Sequence, residues 1–149
     1  MYFILMRPNL TPKLAPYLMV KDAPGLVQFI ERGIGGKVTF ESKSSNGFLN
    51  HVEVRILDSL LMLGEAPRGI RSFPAMLHLY VPDVDTAYGK AIKEGATSLC
   101  PPTDQTDGDR QGGVKDSWGN QWWFRTYGGS HSNKLQKRTK SNADRRAAR

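Results

Sequence analysis

Two stretches of the chain alternate apolar with mixed positions and then stop on an acidic residue. Tyr17-Leu18-Met19-Val20-Lys21-Asp22 is the first, and His78-Leu79-Tyr80-Val81-Pro82-Asp83, offset by 61 positions, is the second. Period-two alternation over such a length predicts a half-buried strand, and the closing aspartate is placed to open a helix. Helical spacing follows in both: Leu26, Phe29 and Ile30 after Asp22, then Val84, Ala87, Tyr88, Ala91 and Ile92 after Asp83. Glycines stop each run, at Gly33, Gly35 and Gly36 in the first and at Gly95 in the second. Three strands then follow in each half, over Lys37–Ser42, Leu49–Ile56 and Ser59–Glu65, and over Thr97–Cys100, Gln111–Lys115 and Gln121–Tyr127. The last two strands of each half are joined by a tight turn, expected at Asp58-Ser59 and at Asp116-Ser117. The pattern is one unit written twice: strand, helix, three strands, an α+β fold.

Alternation also sorts the faces. Leu18 with Val20, Leu77 with Leu79 and Val81, and Val52 with Val54 and Ile56 are aliphatic and belong against the helices. Their opposite faces carry Tyr17 and Met19, Met76, His78 and Tyr80, and His51, Glu53 and Arg55. Such mixed faces suit a wetter concave surface that takes a ligand.

The chain has 149 residues, with 39% hydrophobic and 23% charged, which is the composition of one ordinary globular domain. Its net charge of +7 would point to nucleic acid if it were spread evenly. It is not. Residues 131–149 hold seven basic residues against Asp144, leaving 14 basic and 13 acidic residues in the first 130. The excess therefore belongs to a basic tail with Leu135 as its one large apolar residue, expected to be disordered, and any contact with nucleic acid would run through it. Tyr2 to Met6 is apolar but too short for a signal or a membrane span, so the expected location is cytoplasmic, with residues 1–13 an N-terminal arm. A single cysteine, Cys100, excludes an internal disulfide framework.

Five segments together resemble the vicinal oxygen chelate superfamily, which includes glyoxalase I, bleomycin-resistance proteins and extradiol dioxygenases. They are Pro16 to Ala23, His51 to Ile56 with Asp58 to Leu63, Leu77 to Val81 with Asp83-Val84-Asp85, Gly95 to Thr97 with Pro101-Pro102, and Gly108-Asp109-Arg110 through Asp116 to Gly119. The branch most similar is the PhnB-like one. The resemblance implies two βαβββ modules, here 14–66 and 75–128, forming a curled mixed sheet around a cavity, commonly completed by a homodimer. In the enzymes of the superfamily, His and Glu side chains hold a divalent ion; bleomycin-resistance members bind an aromatic, cationic drug without one. Carried onto this chain, the ligand positions fall on Ala15, on Leu61 or Met62, near Met76 and on Trp123, so a glyoxalase metal site is not expected.

The expected function is therefore binding of a small planar or cationic molecule in an aromatic-lined cavity, without a metal or other cofactor. Tyr17, His51, Glu53, His78, Tyr80, Trp123 and Arg110 are the candidate ligand-binding residues, the last from the Asp109-Arg110 pair. No catalytic residue is assigned. The alternative is a lyase, isomerase or dioxygenase that uses His51, Glu53 and His78 as a displaced site for a divalent metal ion. Trp122 and Phe124, on the other strand face, read as core.

Overall fold

The computed structural model describes residues 12–128, which divide into two compact units at Ala75 and Met76. The expected arm at 1–13 lies outside the described residues except for its last two positions, and the tail at 131–149, with His131, lies outside them entirely.

In the first unit β1 (Tyr17–Val20) leads to α1 (Ala23–Phe29), which runs on into a single π-helical turn, Ile30–Ile34, before β2 (Lys37–Lys43), β3 (Leu49–Ile56) and β4 (Ser59–Glu65). The second repeats this as β5 (Met76–Tyr80), α2 (Val84–Lys93), β6 (Thr97–Asp104), β7 (Arg110–Lys115) and β8 (Gln121–Thr126). Each unit is a four-stranded mixed sheet, in the orders β1-β4-β3-β2 and β5-β8-β7-β6. In both, the first strand pairs parallel with the last and the remaining pairs are antiparallel. The two βαβββ modules read from the sequence are thus present, with the same topology.

The helices cover the faces that alternation assigned to them. Leu18, Val20, Val52, Val54, Leu61 and Leu63 are buried, together with Leu26, Phe29 and Ile30 from α1 and the turn after it. Gly36 is what allows Ile30 to come down on the sheet, since a Cβ there would stand 2.6 Å from Ile30 and 2.7 Å from Val54. In the second unit Val84 and Ala91 of α2 are buried with Val114, Trp122 and Phe124, so the latter two rings are core as read.

Polar anchors fix where the helices and loops begin. Asp22 caps α1 by accepting from the Gly25 N–H at 3.1 Å, in a left-handed backbone conformation with φ 62°. The parallel pairing of Val20 with Glu65 brings the Glu65 carboxylate under that cap, where it accepts from the N–H groups of Asp22 (2.8 Å) and Ala23 (2.7 Å). Asp83 caps α2 through the N–H groups of Asp85 and Thr86. Buried Asp116 accepts from the Trp118 and Asn120 N–H groups, the Asn120 amide and the Trp122 indole, and so shapes the loop between β7 and β8.

Several boundaries differ from the pattern reading. The β3–β4 turn is Leu57-Asp58, one residue earlier than expected, with Leu57 at φ 54°. β6 continues past Cys100 through Pro101-Pro102 to Asp104. It tolerates them because it is an edge strand whose pairing with β7 is irregular between Cys100 and Thr103. β2 gains Lys43, β7 begins at Arg110, and β8 ends at Thr126. Among the described residues no helix is long and apolar enough to cross a membrane.

Candidate functional site

The helix-free face of the first sheet holds Tyr17 and Met19 of β1, Met62 and Gly64 of β4, His51 and Glu53 of β3, and Phe40 of β2. Register lines these up, with Tyr17 opposite Met62, Met62 opposite Glu53 and Glu53 opposite Phe40. Tyr17 lies across Gly64, where a Cβ would stand 2.8 Å from the Tyr17 hydroxyl and 2.6 Å from the Asn50 carbonyl oxygen. That bare backbone lets the phenol reach β3. Its hydroxyl stands 3.2 Å from the Asn50 carbonyl oxygen and 3.3 Å from His51 Nδ1, and the two rings stack with centroids 5.5 Å apart. His51 Nε2 is 3.5 Å from Glu53 Oε1, and the Phe40 ring lies beyond at 6.0 Å from the imidazole. Burial pushes the Tyr17 pKa up, so the phenol keeps its proton at neutral pH.

The helix-free face of the second sheet is built in the same register. His78 lies opposite Trp123 and Trp123 opposite Gly113, while Tyr80 lies opposite Arg125 and Arg125 opposite Gln111. A Cβ on Gly113 would come within 2.7 Å of the Trp123 ring, so the indole rests flat on bare strand backbone. Its Nε1–H donates to Gln121 Oε1 at 3.2 Å. Tyr80 packs against His78 (centroids 5.2 Å apart) and stacks on Tyr127 (4.6 Å, interplanar angle 13°). Arg125 is fixed by donating to Asp109 Oδ2 (2.7 Å), to Gln111 Oε1 (3.2 Å) and to Asp107. Asp109 is itself buried and also accepts from the Gly128 N–H. Partial burial, and after it the positive charge of Arg125, lower the pKa of His78 from its ordinary 6.5.

Within each unit the structure thus gathers Tyr17, His51 and Glu53 on one sheet face, and His78, Tyr80 and Trp123 on another. Arg110 is placed elsewhere. It grips Asp85 in the first turn of α2 through two hydrogen bonds (2.6 and 2.9 Å) and Asp104 through a third (2.8 Å), on the helix side of the second sheet. Three groups on these faces were not among the expected site residues. Arg125 shares a face with Trp123 by simple alternation, whereas Phe40 and Tyr127 reach their partners through a strand bulge and beyond a strand end, which pattern does not reveal.

The positions where the family resemblance expects metal ligands do not fit a divalent ion. Ala15 is aliphatic. Of Leu61 and Met62, the first is buried on the helix side and only Met62 faces the rings. Met76 is exposed, and Trp123 carries an N–H that is spent on Gln121. Among the described residues no three His, Cys, Asp or Glu side chains gather as a metal-holding group.

Comparison with known proteins adds the following. The family model described as Glyoxalase/Bleomycin resistance protein/Dioxygenase superfamily matches residues 13–124. Among curated proteins, the uncharacterized protein Mb0911c of Mycobacterium bovis is 30% identical over 125 residues, covering 76% of this chain and 82% of that one. Rv0887c of Mycobacterium tuberculosis is likewise 30% identical, covering 76% of this chain and 74% of its own. Among solved structures, TioX from Micromonospora sp. ML1 is similar with a TM-score of 0.67 at 20% identity, over 78% of this chain and 98% of that one. A glyoxalase-related enzyme from Fulvimarina pelagi follows at 0.63 and 16%, over 78% and 89%. At these identities the two structures speak for the fold alone.

Proposed function

The chain belongs to the glyoxalase/bleomycin resistance protein/dioxygenase superfamily, and from that premise we propose that it binds a small planar or cationic molecule against the helix-free faces of its sheets, without a metal ion. One observation carries the reading. Rings that a strand would ordinarily bury are held on these faces at defined positions, with Tyr17 45% and Tyr80 50% exposed. Tyr17 is held over Gly64, and Trp123 lies flat over Gly113. Flat rings fixed over bare backbone offer stacking area at little further cost in conformational entropy. The positions that would hold a metal are filled by methyl, thioether and indole groups instead. In this reading the protein works as a cytoplasmic homodimer.

Two measurements test it. Planar cationic compounds are expected to raise the melting temperature of the protein, and Trp123→Ala to weaken the affinity of those that do by about 1–3 kcal/mol. Unchanged affinity removes Trp123 from the site. Chelator-treated protein re-exposed to nickel, zinc, manganese and iron is expected to retain negligible metal. One tightly held ion per chain, lost in His51→Ala or His78→Ala, overturns the metal-free reading in favour of a metal-dependent lyase, isomerase or dioxygenase.

A further inference from the structure

Arg125 is tied down at three points. Its guanidinium donates from Nε to Asp109 Oδ2 (2.7 Å), from Nη1 to Gln111 Oε1 (3.2 Å) and from Nη2 to Asp107. Asp109, 1% exposed, is itself pinned, since its Oδ1 accepts from the Gly128 N–H at 2.9 Å. Three acceptors on β7 and the loop before it thus fix one planar group. A guanidinium carries five N–H hydrogens and keeps its charge throughout the ordinary pH range. These acceptors take three of them, which leaves one on Nη1 and one on Nη2 for water or a ligand. The side chain remains 21% exposed, and register sets it on the helix-free face, opposite Tyr80 and one row from Trp123.

Charge decides what those two donors can take. Two carboxylates already face the guanidinium, so a further anion would meet their repulsion along with its attraction. His78, on the same face, has its pKa lowered from 6.5 by burial and by Arg125, so above that pH it adds no positive charge to attract one. A cation fares no better, because it sets a positive charge and its own donors against a guanidinium. An uncharged oxygen meets neither penalty and accepts from a charged donor, the stronger kind of hydrogen bond. The Trp123 indole, flat over Gly113, and the stacked rings of Tyr80 and Tyr127 give the rest of a planar molecule a surface to lie on.

We propose that Arg125 is the specificity-determining residue of the second sheet face, holding an uncharged oxygen acceptor of the ligand, such as the carbonyl of an aromatic amide, on its two remaining N–H groups. Asp109 serves it as a positioning residue that fixes the guanidinium. The inference rests on the ligand-binding reading above and names the chemical group that this face selects. Any positive charge the ligand carries belongs away from Arg125.

The test uses three planar probes of one shape, benzamide, benzoate and benzamidine, titrated into the isotope-labelled full chain at pH 8 with the tryptophan indole N–H resonances as reporters. Benzamide offers an uncharged carbonyl oxygen, benzoate an anionic pair of acceptors, and benzamidine a cation with donors only. The wild-type chain is expected to bind benzamide at least roughly tenfold more tightly than benzamidine, the scale of one hydrogen bond to a charged group, and more tightly than benzoate. Arg125→Met is expected to abolish the preference over benzamidine. That variant strips buried Asp109 of its partner, so Asp107→Asn provides a second reading that leaves Arg125 in place. With one of the two carboxylates neutralised, benzoate is expected to gain at least about threefold on benzamide. Benzamidine or benzoate binding the wild-type chain as tightly as benzamide overturns this assignment while ligand binding stands. So does a benzamide preference that survives in folded Arg125→Met, or a benzoate-to-benzamide ratio unmoved in Asp107→Asn. Binding of none of the three probes overturns both readings.

Discussion

Arg125 shows how one buried carboxylate reaches a ring on another strand. Asp109 is buried and accepts from Arg125 Nε, which fixes the guanidinium on the face that also carries His78 and Tyr80. Burial is the larger cause of the lowered His78 pKa and the Arg125 charge the smaller, so both are measurable. By NMR titration His78 is expected to ionise below 6.5, and Arg125→Met to raise that value part of the way back, burial remaining. The sign for stability follows from proton binding. The folded state holds fewer protons on His78 than the unfolded chain does, so this contribution is present above pH 6.5 and is lost as pH falls through the lower folded value. A value at or above 6.5 in the wild-type chain, or no change in Arg125→Met, would remove the coupling. The sequence held part of this. Counting by twos from Trp123 places Arg125 on its face, and counting by twos from Val114, an aliphatic helix-side residue, places Arg110 on the other. The Asp109-Arg110 motif points to Arg110, which the fold places against Asp85 and Asp104 on the helix side. That Asp109 turns inward to hold Arg125 is a tertiary contact across 16 positions, which no local pattern encodes.

Among the elements, pattern gave the strands and helices but not the groups that lock them. Turn propensity favours Asp58-Ser59 for the β3–β4 connection, yet the chain turns one residue earlier, with Leu57 in the left-handed region that ordinarily takes glycine. Ladder register decides: Ile56 pairs with Ser59, leaving just two residues to connect them. Glu65 likewise reads as the end of a strand, and only the parallel pairing of β1 with β4 shows why a carboxylate is needed beneath the start of α1. Asp116 is the clearest case. Turn propensity places it correctly between β7 and β8, but its burial and its four donors come from the fold. Asp116→Ala would leave those donors without their acceptor and is expected to lower unfolding free energy by roughly 3 kcal/mol or more. Chemical denaturation checks it: a loss below about 1 kcal/mol would mean that water or a loop rearrangement replaces the carboxylate.

Across the whole molecule, two modules with the same strand order and the same helix have diverged in what their helix-free faces offer. The offset of 61 carries Tyr17 onto His78 and Met62 onto Trp123, and Tyr17 with Met62 are register partners in the first sheet as His78 with Trp123 are in the second. Topology was therefore legible from the repeat, because hydrophobic period and caps act locally. The face chemistry was legible only as a list of candidates, because which ring lies over which glycine depends on cross-strand register. The net charge of +7 stands apart from both modules, since +6 of it lies in residues 131–149, leaving a net +1 for the rest. If a ligand is held by the rings on the helix-free faces, the tail has no part in that recognition. A chain ending at residue 130 is then expected to keep both its melting temperature and its stabilisation by planar cations. Any binding of the full chain to a polyanion should weaken steeply with added salt and disappear with the tail, since it would run on counterion release. Loss of ligand-induced stabilisation in the shortened chain would place the tail within the binding apparatus, and a drop in melting temperature without ligand would make it part of the folded body.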